Sequence, residues 1–480
     1  MTLDEFDLWY YTRRGRTSSA LTSTAMMISD LIGVMLSFGA GFFFVNLYDM
    51  SLINFRSFVT YWPYLPVFIL IFYVTFLYPG VAMAPAEELR RFSVGSSFAH
   101  GGIILSRYIE DREFDAISVA FIISFFVSVF ILLFCRSNMR ILLDKTRLGG
   151  IPAVIYGNGN TSHTLVDRLI KKQAAGYTPI LILDDDEDGP GDYHGIPVIH
   201  DITLGPEIVS RYNIKMAIVA MPEINQKKII KLIKTSVAAF RYSVLIPDFY
   251  NIADIWVTVR DFDGILGLAT SHKLKMFWNL GIKRFMDILI TVLGGIIILP
   301  ALLVIALMVK LGSPGPVLYG HTRIGMNGRR FRAYKFRSMV VDADKRLKAL
   351  LDSDPEKYNE WEANHKLKDD PRITSIGRLL RRTSFDEFPQ LINILKGEMS
   401  LVGPRPIVDD EVKKYGEDFP RIFSVKPGLT GLWQVSGRSD TDYGERVFYD
   451  TYYLQSWSVW LDLWIFYKTI GVVLKGKGAY

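Results

Sequence analysis

KRFMDILITVLGGIIILPALLVIALMVK, residues 283–310, is the stretch that decides how this chain is organised. From Ile288 to Val309 it holds 22 residues without a charge, about 33 Å as a helix and enough to cross about 30 Å of hydrocarbon. Two features argue against a plain crossing. Pro300 removes a backbone hydrogen bond, and its ring clashes with the preceding turn. Lys283 and Arg284 precede the run, and Lys310, Arg323, Arg329, Arg330 and Arg332 follow it, so both flanks carry the signature of the cytoplasmic side. A re-entrant helix over 285–310 that enters, breaks near Pro300 and returns reconciles the two. Protein groups must then satisfy the carbonyls freed at the break.

Toward the N-terminus, Ala20–Tyr48 carries one charge, Asp30, while Phe58–Tyr78 and Ala116–Cys135 carry none. A weaker segment, Phe92–Ser106, is diluted by His100, glycines and serines. Arg13, Arg14 and Arg16 precede the first segment, and Arg136, Arg140, Lys145 and Arg147 follow the last. Both flanks therefore read as inside, which requires an even number of crossings. The expectation is a four-helix membrane region over residues 1–145, with Asp30 paired inside the bundle.

Residues 146–272 change character. "PAVIY", "TPILILD", "MAIVAM" and "YSVLIP" read as buried strands alternating with the helical "HTLVDRLIKK" and "QKKIIKLIKT". That alternation predicts a small α/β domain with a parallel sheet. Its glycine turn, Gly157-x-Gly159-x-x-Ser162, lacks the third glycine of a dinucleotide fingerprint. The expectation is a structural or regulatory domain without dinucleotide chemistry.

Composition agrees with this division. The 480 residues are enough for about three domains. With 50% apolar residues, 22% charged residues and a mean hydropathy of +0.20, the chain is neither disordered nor wholly soluble. The single cysteine, Cys135, excludes an intrachain disulfide and a cysteine-built zinc site, and the seven histidines form no HExxH pattern. Residues 281–480 hold 30 Lys and Arg against 23 Asp and Glu, while residues 1–280 hold 25 against 26. The basic excess lies in the C-terminal part, which suggests an anionic substrate, an anionic membrane surface or both.

The chemistry is written after the apolar run. "RIGMNGRRFRAYKFRSM" (323–339) packs six cations, among them Lys335 and Arg337, with alternating aromatics, and predicts a short basic hairpin. In "GRLLRRTSFDEFPQLINILKGEMSLVGPRP" (377–406), Pro389 fits only the first turn of a helix, so one is expected from about Asp386 to Lys396 with Gly397 as its C-cap. At a helix start the adjacent carboxylates of Asp386 and Glu387 can converge, which they cannot do inside a helix. Asp386 as a plain N-cap explains one acid. It does not explain Glu387, Arg378, Arg381, Arg382 and Arg405 gathered around it. Arg405 sits between two prolines, and "KPGLTGLWQVSGRSD" (426–440) frames Gln434 and Arg438 with further rigid turns. Arginines on stiff loops suit phosphate recognition. Acids able to hold a metal, arginines and a membrane helix together point to phosphoryl chemistry on a lipid, and no Walker A or kinase signature is present.

At "YKFRSM", "TSFDEFPQLINILKGEMSLVGPRP" and "PGLTGLWQVSGR" the chain closely resembles the large monotopic bacterial polyprenyl-phosphate sugar-1-phosphate transferases. The resemblance covers about residues 281–480 and implies a membrane helical bundle, a degenerate nucleotide-fold domain and a mainly α monotopic catalytic domain over 273–480. It implies transfer of a sugar 1-phosphate from a UDP-sugar to undecaprenyl phosphate, releasing UMP, with Mg2+, as the first membrane step of O-antigen, capsule or exopolysaccharide synthesis. By that resemblance Asp386 is the nucleophile that forms a phosphosugar intermediate, and Glu387 helps hold the metal. Lys335, Arg337, Arg378, Arg381, Arg405, Gln434 and Arg438 are then substrate-binding candidates. "NEWEANHKLKDDPRIT" (359–374) and the ending "GAY" are most similar to members that transfer galactose 1-phosphate, with glucose as the alternative. The site is expected at the cytoplasmic face of the inner membrane, with membrane lipids as partners, a possible homodimer and no nucleic acid. Trp457, Trp460 and Trp464, with Tyr449, Tyr452 and Tyr453, read as an interfacial helix. Membrane-bound nucleotide-sugar dehydratases share a similar layout but need Tyr-x-x-x-Lys, and no tyrosine here has a lysine four residues on.

Overall fold

The computed structural model describes residues 3–13, 19–48, 59–80, 83–146, 149–171, 176–186, 191–222, 224–246, 257–262, 265–270, 273–354, 357–358, 370–436 and 443–475. The chain divides into two compact units, Met1–Asn251 and Ile252–Tyr480.

The first unit opens with α1 (Leu3–Arg13). The sequence reading counts this segment with the membrane region, but it belongs elsewhere. Phe6 is fully buried in the core of the α/β layer, with its ring 5.1 Å from that of Tyr212. The bundle proper is α2 (Ser19–Tyr48), α3 (Leu65–Val74), α4 (Pro85–Asp111) and α5 (Ala116–Lys145). Among the described residues, α2 and α5 are long and apolar enough to cross a membrane. Within the expected span Phe58–Tyr78, a 3-10 turn (Trp62–Tyr64) runs into α3, and the apolar helical stretch Trp62–Val74 is shorter than the span read from the sequence. The helices close around His100 of α4, whose ring meets Phe38 of α2 at 5.7 Å and Phe68 of α3 at 4.9 Å. Asp30 is paired, as expected. Arg136 donates to it at 2.6 and 2.7 Å and to Glu88 at 2.7 Å, Arg140 donates to Glu88 at 2.5 Å, and the Tyr78 hydroxyl donates to Asp30 at 2.7 Å.

A six-stranded sheet follows: β1 (Ile151–Tyr156), β2 (Tyr177–Leu183), β3 (Asp192–Tyr193), β4 (Ile196–Ile199), β5 (Met216–Val219) and β6 (Tyr242–Leu245), in the order β3-β4-β2-β1-β5-β6. All pairings are parallel except β3 with β4. Both faces are covered, and β1 shows why the strands read as continuous apolar runs. Ala153 and Ile155 join one core cluster, while Val154 and Tyr156 join the other. Helices α6 (Asn160–Lys171), α7 (Gly205–Tyr212) and α8 (Gln226–Thr235) supply the connections.

The second unit begins with a hairpin, β7 (Val257–Phe262) and β8 (Ile265–Thr270), which the sequence reading counts with the α/β layer. Next comes α9, Phe277–Gly312, 36 residues long. The helix is continuous through Pro300, so the expected break is not an interruption of the helix. Its middle is exposed, with Ile296 at 66% and Ile297 at 78%, while Lys283, Asp287, Ile305 and Val309 near its ends are buried. Beyond it lie the antiparallel hairpin β9 (Leu318–Ile324) and β10 (Arg330–Phe336), α10 (Ala343–Ser353), α11 (Ser375–Thr383) and α12 (Leu391–Lys396). A short parallel pair, β11 (Ser400–Val402) and β12 (Gly428–Thr430), precedes α13 (Tyr443–Ser456) and α14 (Val459–Lys475). The interfacial reading of the last aromatics is corrected in part. Tyr453 and Trp457 are buried, and both hydrogen-bond Asp462 at the junction of α13 and α14.

Candidate active site

The basic hairpin forms as expected, with Lys335 opposite Tyr319 near the end of β10. The acidic pair meets it from a neighbouring turn. Ser384 ends α11 in the left-handed conformation (φ 57°), and residues 385–390 then form a 3-10 helix before α12 begins at Leu391. The expected helix from Asp386 to Lys396 is therefore two elements, since Pro389 limits backbone donors in its first part. Gly397 does cap its end, at φ 83°. The N-cap position of the 3-10 segment is Ser384 and Asp386 lies inside the segment, so Asp386 is not an N-cap. The tighter coil lets both carboxylates face one ammonium. Lys335 Nζ donates to Glu387 Oε1 at 2.6 Å and lies 3.8 Å from Asp386 Oδ2.

The two acids are unequal. Burial, with the neighbouring Glu387 charge, pushes the Asp386 carboxyl above its ordinary value against the pull of Lys335 and Arg381. Burial would also push Glu387 up, but Lys335, Arg405 and Arg323 outweigh it and hold that carboxyl below its usual range. The result is one carboxyl with raised proton affinity beside one held firmly as an anion, the separation of roles that paired acids need. Arg381 donates from Nε to Ser338 at 3.1 Å and feels Asp386. Burial and Arg405 both lower the Arg323 guanidinium from its usual value, so two like charges are held together here.

Arg405 is set by its turn. Gly403 N donates to Thr430 O at 2.9 Å and Gly428 N to Pro404 O at 2.8 Å. A Cβ on Gly428 would lie 2.1 Å from Gly403 N, so the backbones meet where only glycine fits. The Trp433 ring meets both Arg405 and Arg446, whose guanidinium carbons lie 5.9 and 5.0 Å from its centroid. Arg446 also reaches Glu411 at 3.3 Å, and Glu411 lies 4.0 Å from Arg323. Arg323, Glu411, Trp433 and Arg446 were not singled out from the sequence as site residues. Glu411 and Arg446 lack the proline–glycine frame that marked Arg405.

Of the other candidates, Gln434 lies beside this cluster, its buried Oε1 without a hydrogen-bond partner among the described residues. Arg378 is exposed on α11. Arg337 turns away from the acids. It is 7% exposed and donates to Ser313 O at 2.7 Å and Ser313 Oγ at 2.9 Å, at the end of α9. Arg438 lies outside the described residues.

Among the described residues there is no group of three or more His, Cys, Asp or Glu side chains able to hold a metal. Two carboxylates are nonetheless enough for Mg2+, which keeps several waters and completes its shell with substrate phosphates. Asp386 and Glu387 fit that requirement. The glycine turn of the α/β domain is different. Asp184 accepts from Asn158 N at 2.5 Å and from Asp186 N at 2.9 Å, so the chain's own carboxylate occupies an amide that a phosphate would need.

Comparison with known proteins follows the same division. Residues 278–476 match the bacterial sugar transferase family, and residues 80–238 match the CoA-binding domain family. Over 351 residues the chain is 37% identical to the undecaprenyl-phosphate galactose phosphotransferase of Salmonella typhimurium, covering 72% of this chain and 73% of that one. It is 35% identical to the UDP-galactose-lipid carrier transferase of Erwinia amylovora, over 75% of this chain and 76% of that one. It is 36% identical to the UDP-glucose:undecaprenyl-phosphate glucose-1-phosphate transferase of Escherichia coli, over 49% of this chain and 50% of that one.

Proposed function

Because this chain belongs to the bacterial sugar transferases that act on polyprenyl phosphates, we propose that it moves galactose 1-phosphate from UDP-galactose to undecaprenyl phosphate through a covalent aspartyl intermediate. The observation that carries this reading is the Asp386–Glu387 pair on one ammonium, within an excess of arginines, on the domain that holds the apolar helix α9. In the first step an Asp386 oxygen attacks the phosphorus next to the sugar. The P–O bond to UMP breaks, and UMP leaves with its electron pair. In the second, an oxygen of undecaprenyl phosphate attacks that phosphorus and Asp386 departs as carboxylate. Splitting the reaction lets two dissimilar substrates use one pocket in turn.

Each nearby group has a role in that scheme. A carboxylate approaching a diphosphate meets charge repulsion that only nearby cations can offset. Lys335 faces both acids, Arg381 acts on Asp386, and Arg405 and Arg323 act on Glu387, with Gln434 and Arg446 near Arg405. Glu387 would hold Mg2+ with the substrate phosphates, adding positive charge as UMP leaves. Arg378 and Arg438 remain candidates for the outer part of the pocket.

Nucleotide sugars are cytosolic, so the site is read at the cytoplasmic face. Support for a re-entrant α9 comes from its two ends. Arg284 donates to Ile394 O at 2.6 Å, Arg337 donates to Ser313 O, and both partners belong to the same compact unit. A bundle anchored by the long apolar helices α2 and α5 and pairing into a homodimer complete the proposed architecture.

Galactose is favoured by the names of the Salmonella and Erwinia relatives, and glucose by that of the Escherichia relative. The test is UMP release by the full-length protein with undecaprenyl phosphate and either UDP-sugar. UDP-galactose should give a kcat/KM at least about tenfold higher, the discrimination expected of one well-read hydroxyl. A preference for UDP-glucose supports the alternative, and no UMP from either sugar contradicts the reaction.

A further inference from the structure

We propose that Asp287 and Arg337 are positioning residues that tie the two cation-bearing segments of the site to opposite ends of α9. The inference rests on the proposed phosphate role of Arg405 and on Lys335 facing the acids. Asp287 is 6% exposed, and its carboxylate accepts from Ser400 Oγ at 2.8 Å and from Leu401 N at 3.0 Å. One helical turn earlier, Lys283 donates to Val402 O at 2.9 Å. All three residues of β11 are therefore bonded to α9, and the next residues of the chain are Gly403, Pro404 and Arg405. The bonds to β12 fix the same turn from the other side. Arg405 hangs from a strand with little freedom, and part of that restraint comes from the membrane helix.

The other end repeats the arrangement on the opposite segment. Arg337 lies two residues after Lys335, and its Nη2 donates to Ser313 O, Ser313 Oγ and, at 3.4 Å, Val309 O. Its Nε and Nη1 are buried without a partner among the described residues. A half-satisfied guanidinium is a costly way to fill space. The turn after α9 is nevertheless shaped around it, since a Cβ on Gly315 (φ 123°) would lie 2.2 Å from Nη1. Asp287 and Val309 are separated by 22 residues, about 33 Å of helix. A helix seated in lipid thus sets where Lys335 and Arg405 stand around Asp386 and Glu387.

Double-mutant cycles in the full-length protein test this, because a residue acting only through another adds nothing once that other is gone. Arg405→Ala should lower kcat on the order of 10²-fold, as loss of one preorganised charge donor does. Asp287→Ala should lower kcat about 25-fold, two lost hydrogen bonds at about fivefold each, with both KM values within about threefold. Asp287→Asn, which keeps an acceptor oxygen, should recover part of it. The double variant should be no slower than Arg405→Ala alone. Ser400→Ala removes one of the bonds and should lose about fivefold, again only while Arg405 is present, so the inference stays testable if Asp287→Ala folds poorly. Arg337→Lys paired with Lys335→Gln should show the same masking. Losses that multiply in the double variants overturn the inference and make these residues supports of the fold at large. An Arg405→Ala enzyme with wild-type kcat overturns it together with the phosphate role, and UMP release by wild-type protein in the same preparation judges the reaction separately.

Discussion

The acid–cation cluster in the bundle and the one around Asp386 and Glu387 in the catalytic domain are built to opposite specifications. In the bundle, Asp30 and Glu88 face Arg136 and Arg140. The acids and Arg136 are at most 3% exposed, and every contact is at 2.5 to 2.7 Å. Charge is balanced and each acid is saturated, which suits a staple between α2, α4 and α5. In the catalytic domain two acids face four cations, Lys335, Arg381, Arg405 and Arg323. Asp386 and Glu387 are 13% and 26% exposed, and Asp386 lies 3.8 Å from the Lys335 ammonium. Surplus positive charge around a reachable carboxylate suits a site that waits for an anion. The difference between saturation and surplus separates structure from chemistry more reliably than the presence of buried charge does.

The largest test of that contrast is Asp386→Asn. The amide cannot form the acyl phosphate, so transfer should fall by about 10³-fold or more, the scale seen when a covalent nucleophile is removed. Expression in membranes and the unfolding temperature should stay unchanged. Turnover near wild type would remove the nucleophile assignment. Arg136→Ala should do the reverse. Leaving Asp30 and Glu88 buried without their partner should cost about 3–5 kcal/mol of stability, read as early thermal unfolding in detergent. Transfer per folded molecule should stay within about twofold. A stable but inactive Arg136→Ala protein would mean that the bundle cluster takes part in function.

The sequence carried some of this contrast and hid the rest. The apolar run 288–309 and the glycine–proline frame of Arg405 are local signals, and α9 and the Gly403–Arg405 turn follow from them. Asp30 was legible as a paired acid because no isolated carboxylate persists among apolar helices. Its partners Tyr78 and Arg136 lie 48 and 106 residues away and emerge only with the packing. Arg337 was read with Lys335 because the resemblance places both in one basic motif. The strand ends at Phe336, and the chain then turns Arg337 toward α9. Arg446 and Glu411 carry no local mark at all, since what makes them notable is their arrangement around Trp433 and Arg323. Tyr453 and Trp457 misled in the other direction, as helical aromatic spacing describes a core face as well as an interfacial one.

A smaller effect sharpens the surplus-charge argument through pH. As the proposed nucleophile Asp386 must be ionised, so transfer should be lost as pH falls through the Asp386 pKa, which burial holds above the ordinary carboxylate value. Lys335 is the strongest influence in the lowering direction. Lys335→Gln should therefore raise that pKa further and move the acid limb of the kcat profile to higher pH, by about one unit for an opposite charge at this range. An unmoved limb would mean that Lys335 and Asp386 do not sense each other during turnover.

The most direct measurement omits the acceptor. Full-length protein is mixed with Mg2+ and UDP-galactose labelled in the sugar, without undecaprenyl phosphate, then quenched and digested for peptide mass spectrometry. A covalent aspartyl intermediate predicts one equivalent of UMP per active site and label on the peptide containing Asp386, discharged when undecaprenyl phosphate is added and absent in Asp386→Asn. UMP that appears only after the lipid acceptor is present, with no labelled peptide at any time, would contradict it.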